Sequence, residues 1–239
     1  MNSSMMTAQQ LIGLDQKHLL LIENNIELIG QKFQCHHEVL VPLAKLIRQS
    51  EIDGIPLRIV SSYRSFEQQL AIWNKKYYQE VELNLRDGSS INSQDLDGEA
   101  RVKAILNYSA LPGTSRHHWG TDFDIFDACA IDQGYEVQLL EAEFEEQGPC
   151  GNLNLWLEQT LATYQFFKPY LTDKGGVACE PWHISYHPIS HSALQEFPVA
   201  LLTQTIQEAE IGGKQFILPM LEQILEQYVF NICDTDDGV

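Results

Sequence analysis

Three short β-type runs, 55–61, 121–126 and 177–186, lie far apart in the chain and are separated by stretches of unlike helical character. Equivalent strand–helix units at a regular interval would build a doubly wound parallel sheet, but no internal repeat is present. The expectation is an α+β fold: a small antiparallel sheet flanked by helices, with a C-terminal helical pair. The expected organisation is one main domain over 1–190 with an N-terminal helical wrap. A helical extension over 191–233 packs on the same domain, and 234–239 form a disordered tail.

Local signals fill in the rest. Residues 7–29 carry mixed helical signals, and the apolar positions of 33–48 recur at helical spacing. Asp53-Gly54 breaks the chain before the first strand. Ser65 predicts an N-cap, with Gln68 completing a capping box, for a helix running to about Tyr78. The polar stretch 80–98 predicts a long loop, and 99–108 a helix. Leu111-Pro112-Gly113-Thr114 reads as a turn delivering 115–120 as a loop, and 153–167 is apolar at helical spacing. Beyond His191 two amphipathic helices are expected, one opening at Pro198 and one running from near Gly213 to Tyr228, with Pro219 as a kink or late start.

Hydrophobic residues make up 44% of the 239, enough for a sizeable core. Acidic residues outnumber basic ones 33 to 15, giving a net charge of −18. Such a surface repels phosphate backbones and anionic lipid, which argues against nucleic acid as a partner. Five cysteines without a CxxC spacing argue against a disulfide framework. No stretch approaches the ~18 apolar residues of a membrane helix. Residues 1–16 lack Lys and Arg, and the apolar run 19–22 is too short for a signal sequence. A cytoplasmic location is therefore the expectation, with the periplasm as the alternative.

Chemistry concentrates in Ser115-Arg116-His117-His118-Trp119-Gly120-Thr121-Asp122-Phe123-Asp124, where two imidazoles and two carboxylates share ten residues, and Glu180-Pro181-Trp182-His183 adds one more of each. A catalytic zinc site needs three N or O ligands, an open position and a nearby carboxylate that is not a ligand. Alternation along a strand puts Asp122 and Asp124 on one face, so geometry leaves either as the ligand. On a straight strand Glu180 and His183 face opposite sides, so both reach one site only if the backbone bends between them, and Pro181 is consistent with a bend. Arg64, in Ser61-Ser62-Tyr63-Arg64, sits where a strand passes into a helix and is placed to neutralise an oxyanion.

The three segments, SSYR, SRHHWGTDFD and EPWH, stand in the order of the zinc D-alanyl-D-alanine carboxypeptidases of the VanY type, which share a fold with the Hedgehog signalling domain. That family carries Ser-x-Tyr-Arg, Ser-x-His-x-x-Gly-x-Ala-x-Asp and Glu-x-x-His. SFEQQLAIWNK, ALPGTSRHHWG, FFKPY, GGV and EPWHISY also resemble it, and the likeness covers about residues 11–190. The resemblance implies one zinc ion per chain held by His117, Asp124 and His183. It implies Glu180 as the carboxylate that activates the attacking water, and Arg64 as the substrate-orienting and transition-state-stabilising residue. The substrates it implies are peptidoglycan peptides or muropeptide precursors, cut at a terminal D-Ala-D-Ala bond. Ser115, Tyr63, Gln69 and Trp182 are candidates for substrate binding. The chain departs from the pattern at Asp122, where the family has a small Ala. Such a carboxylate could support a ligand His, lower the site's electrophilicity or be turned aside.

Alternatives on the same scaffold are a D,D-dipeptidase, an L,D-carboxypeptidase, an endopeptidase or a catalytically silent zinc-binding module. His187, four residues from His183, reads as a structural or rim residue. His36 and His37 read as histidines on a helix, and Cys179 as packing. The sequence assigns no oligomeric state.

Overall fold

The computed structural model describes residues 5–22, 33–86 and 88–235. A single turn, α1 (Ala8–Leu11), is capped by Thr7 and ends at Gly13, whose φ is +79°. The Asp15 carboxylate then accepts the Lys17 N–H at 2.8 Å, a local turn that competes with helix. The helical wrap therefore stops early. Instead β1 (Leu19–Leu21) pairs antiparallel with β2 (Gln34–His36), and α2 (Leu40–Ile52) starts well after Phe33. Residues 23–29 of the expected wrap lie outside the described residues.

The next segment follows the sequence closely. After β3 (Leu57–Ser61) comes α3 (Phe66–Tyr78), and both halves of the Ser65/Gln68 capping box are formed. The expected long loop instead holds a hairpin, β4 (Glu82–Asn84) and β5 (Ser90–Asn92), before α4 (Gly98–Leu106). Its polar residues hid a period-2 pattern in which Leu83 alone is deeply buried.

Residues Arg116–Trp119 form a 3-10 turn and lead into β6 (Asp122–Asp127) and α5 (Ala128–Asp132). Helix α6 (Gly151–Thr160) is shorter than its apolar pattern. A 3-10 turn follows, Gln165 at φ +64° ends it, and Phe166–Phe167 become β7. The last strand, β8, covers only His183–Tyr186 and passes directly into α7 (His187–Gln195), with Pro188 in the first turn. Helix α8 (Val199–Glu208) has Pro198 at its cap position. A helical run over 214–229 absorbs Pro219 in a 3-10 turn. Of the expected C-terminal tail, residues 236–239 lie outside the described residues.

The main sheet has the order β3-β6-β8-β7, antiparallel throughout. One hydrophobic cluster packs this sheet against α2 and α6 through Leu43, Leu46, Ile59, Phe123, Ile125, Leu153 and Ile184. A second joins α3 and α4 to the C-terminal helices through Trp73, Leu106, Trp119, Leu202, Ile206 and Ile217. Trp73 Nε1 donates to the Gly212 carbonyl at 2.9 Å, which ties the C-terminal helices to α3. No helix among the described residues is long and apolar enough to cross a membrane.

His36 lies on β2 and not on a helix. Its ring stacks on His37 with centroids 4.4 Å apart and lies 5.6 Å from the ring of His18. Burial pushes His18 down to about 4 and His36 down to about 3. Both folded values lie below the ordinary 6.5, so the fold favours the neutral rings. Their contribution to stability is complete above pH 6.5 and is lost as the pH falls towards 4 and then 3. Thermal unfolding followed by circular dichroism should show the melting temperature dropping across this interval. His36→Gln should flatten the drop, and an unchanged slope would remove His36 from this role.

Candidate active site

Sheet register builds the centre of the site. Asp124 on β6 pairs with Ser61 of β3 on one side and with His183 of β8 on the other, and Asp122 pairs with Ser185. Directly opposed residues project to the same face, with Cβ atoms about 5 Å apart. His117 arrives from the 3-10 turn that precedes β6. Its Nε2 lies 3.4 Å from Asp124 Oδ2, while His183 Nδ1 lies 3.3 Å from Asp124 Oδ1.

Both spacings exceed the usual N–H···O range, but they match the roughly 3.3 Å that separates neighbouring donors around a tetrahedral zinc with bonds near 2.0–2.1 Å. The His117 Nδ1 is buried and has no hydrogen-bond partner. Burial, then the Arg64 charge, push the His117 pKa down, which keeps its imidazole neutral and able to ligate. Two nitrogens, a carboxylate and these distances fit a zinc ion. Among the described residues one other group, His36, His37 and Glu38, has comparable spacing, but two of its members are exposed.

The bend that the sequence required at Glu180 is a β-turn: the His183 N–H donates to the Glu180 carbonyl at 3.1 Å, with Pro181 at the second position. The chain is therefore not yet a strand at Glu180, contrary to the expected span 177–186. This turn brings Glu180 Oε2 to 3.3 Å from His183 Nδ1. Burial raises the Glu180 pKa, against the opposing pull of His183 and Arg64. Asp124, in contrast, is held well below the ordinary carboxylate range; burial alone would raise it, but His117 and His183 override that cost.

Asp122 has a definite place. Its Oδ1 accepts from Arg116 Nε at 2.7 Å and lies 2.9 Å from His183 Nε2, while Oδ2 accepts from the Thr121 hydroxyl at 2.6 Å. The Arg116 guanidinium also donates to Ser185 Oγ at 2.7 Å and lies over the Trp119 ring, 4.7 Å from its centroid. Asp122 thus fixes the far nitrogen of His183 and leaves Nδ1 facing Asp124 and Glu180. The sequence reading did not assign Arg116. A basic residue six positions before an intruding carboxylate was the available signal.

His118 faces away from this centre. Its Nε2 accepts the Gly113 N–H at 3.0 Å, so Nδ1 carries the proton and donates to the Arg64 carbonyl at 2.7 Å. Gly13 packs against the same ring, where a Cβ would strike His118 Nδ1. Arg64 donates to Gln69 Oε1 at 3.0 Å, and its Nη2 lies 3.8 Å from Asp124 Oδ2.

The remaining residues separate. Ser115 and Trp182 line the cavity of about 390 Å³ beside the histidines, together with Arg64, Lys76, Tyr170 and Glu180. Gln69 is fully buried, with Nε2 donating to the Ala110 carbonyl at 2.8 Å, so it holds Arg64 and does not line the cavity. Tyr63 does not line it either. Its ring packs edge-on to His18, 6.3 Å between centroids. Leu139 enters the cavity at φ +56°, and buried Glu143 fixes its neighbours by accepting the Gln138 and Leu140 N–H groups at 3.1 and 2.7 Å. His187 starts α7 and touches the His191 ring, outside the ligand group. Cys179 donates to the Leu171 carbonyl at 3.2 Å, and burial raises its thiol to about 12.

These geometries set three expectations for metal binding, measured by competition with a chromophoric chelator. Asp122→Ala should weaken zinc affinity by about 10- to 100-fold through the loosened His183 ring. His117→Ala should abolish specific binding. His118→Ala should retain zinc but melt at lower temperature, because it strands the Arg64 carbonyl and the Gly113 N–H. Metal loss in His118→Ala with retention in His117→Ala would reverse the assignment.

Comparison with known proteins places this chain in a family. Residues 32–189 match VanY, D-alanyl-D-alanine carboxypeptidase. An "Uncharacterized protein" of Haemophilus influenzae is 36% identical over 121 residues, covering 50% of this chain and 92% of that protein. The bifunctional D-Ala-D-Ala dipeptidase and D-Ala-D-Ala carboxypeptidase VanXYC of Enterococcus gallinarum is 25% identical over 158 residues, 65% of this chain and 68% of that one. Among solved structures, the LdcB LD-carboxypeptidase superposes with a TM-score of 0.53 at 21% identity, covering 90% of this chain and 79% of that one, a likeness of fold. With two thirds of its length matched, and the matched span carrying all three motifs, the chain belongs to the VanY family of D-alanyl-D-alanine carboxypeptidases.

Proposed function

We propose that the protein is a zinc-dependent D,D-carboxypeptidase that removes the terminal D-Ala from peptidoglycan peptides ending in D-Ala-D-Ala. The observation that carries this reading is the convergence of His117, Asp124 and His183 beside a buried, non-ligand Glu180, in a cavity shared with Arg64. A purely structural zinc site needs neither a base nor an oxyanion partner.

His117, Asp124 and His183 would hold the ion. When bound, zinc supplies Lewis acidity, lowering the pKa of water towards neutrality and polarising a carbonyl oxygen. The chain's own residues do the rest. Glu180 is buried and its pKa raised, which suits a group that takes a proton from water and passes it to the leaving amine of the D-amino acid. Arg64 is held by Gln69 and presents a fixed positive charge to the oxygen that becomes anionic as the carbonyl is attacked. Asp122 and Arg116 fix the His183 ring so that Nδ1 keeps its direction.

Incubation of the zinc-loaded protein with a muropeptide panel, followed by mass spectrometry, tests the bond. Loss of one D-Ala from pentapeptides, abolished by chelator and restored by zinc, is expected. Cleavage of free D-Ala-D-Ala alone would indicate a dipeptidase, loss of the residue after an L-centre an L,D-carboxypeptidase, and no hydrolysis a silent module. Glu180→Ala should still bind zinc while turnover drops by about 10²- to 10⁴-fold. Near-normal turnover in that variant would remove Glu180 from its role.

A further inference from the structure

The wall of the catalytic cavity formed by α3 carries a cation that the mechanism above does not use. Ile72 and Lys76 lie one and two helical turns beyond Gln69 on the same face, and both line the cavity. Opposite them run Tyr108, Ser109 and Ala110, also cavity residues. Lys76 Nζ donates to Ser109 Oγ at 2.5 Å and forms no ion pair with any described residue.

The cavity's other cations are already engaged. Arg116 is paired with Asp122, and Arg64 leans on Gln69 and Asp124. Lys76 is half-buried, and burial, followed by repulsion from Arg64, pushes its pKa below the ordinary lysine value, while Glu180 pulls it up. An ammonium held beside another cation, with a neutral hydroxyl as its hydrogen-bond partner, costs the free protein stability. In a chain of net charge −18 such a cation is not part of a general basic surface.

We propose that Lys76 is a specificity-determining residue that receives the free α-carboxylate of the C-terminal residue of the substrate, with Ser109 fixing the ammonium in place. This inference rests on the D,D-carboxypeptidase reading and deepens it. Lys76 lines the same cavity as Arg64 and Glu180, the two groups that act on the scissile bond. In a terminal dipeptide the carboxylate is separated from the scissile carbonyl carbon only by a nitrogen and a Cα, so a cation near both groups meets it within one residue's reach of about 3.5 Å. An endopeptidase substrate has no charge at that point, and would leave the ammonium buried against an uncharged amide. Lys76 therefore selects for chain ends.

The test compares a pentapeptide ending in D-Ala-D-Ala as the free acid and as the C-terminal amide, using the zinc-loaded full chain, the wild type and Lys76→Met. The wild type should prefer the acid, and Lys76→Met should raise KM for the acid by about 10- to 100-fold with little change in kcat. The amide should be handled alike by both, so the preference collapses. Lys76→Met should melt at the same or a higher temperature in the absence of peptide, since a poorly compensated charge has been removed. Calorimetric titration of both peptides into Glu180→Ala and Glu180→Ala/Lys76→Met gives the same comparison without turnover. Acid-selective binding with no hydrolysis by the wild type would defeat the carboxypeptidase reading and leave Lys76 as a carboxylate receptor. Hydrolysis with an unchanged acid preference in Lys76→Met would overturn the inference alone, as would equal binding of the two peptides, or none.

Discussion

The pairing of Asp124 with His183 across β6 and β8 is the constraint on which the site depends. A slip of one residue between these strands would turn His183 onto the core face with Phe123 and Ile125 and leave Asp124 without it. The register is held from both sides. Phe123, Ile125 and Ile184 are buried in the cluster beneath the sheet, so a slip would also expose apolar surface. His117, Glu180 and Arg64 each come from a segment that flanks these strands, and their positions have meaning only relative to that pair.

Charge is balanced within this small volume. Asp122, Asp124 and Glu180 are all buried, and bare carboxylates so close together would not all remain ionised. Arg116 takes up Asp122, and His183 and Arg64 take up Asp124. Glu180 is left with the raised pKa of a group able to exchange a proton. Three buried carboxylates thus sit in three different electrostatic settings. Asp122, absent from the family's usual pattern, is accommodated because this chain also supplies Arg116, sandwiched between Trp119 and Phe167.

Much of this was legible in the sequence where local chemistry decides the structure. The Ser65/Gln68 capping box fixed the start of α3, and strand alternation put Asp122 and Asp124 on one face. Pro181 marked the bend that lets Glu180 and His183 meet. Other features depend on contacts between distant residues. Nothing local distinguishes Gln69, which holds Arg64, from a side chain that faces substrate; the difference lies in the Ala110 carbonyl, 41 residues away. The hairpin of β4 and β5 was obscured because its two strands are polar and their pairing, rather than any hydrophobic run, defines them. Lys76 carries no motif, and its role emerges only when α3 is set beside Ser109.

The amino-terminal segment has a reach that its short helix conceals. The Leu11 carbonyl accepts the Trp119 Nε1–H at 3.0 Å, the Gly13 carbonyl accepts the Phe66 N–H at 2.9 Å, and Gly13 seats the His118 ring that in turn grips the Arg64 carbonyl. This strap spans the first and second motifs from outside, like a buckle closed over the loop that presents Arg64. Chains of this kind that lose their first thirteen residues would keep all the candidate ligands and acids yet lose the contacts that seat the His118 ring against the Arg64 carbonyl.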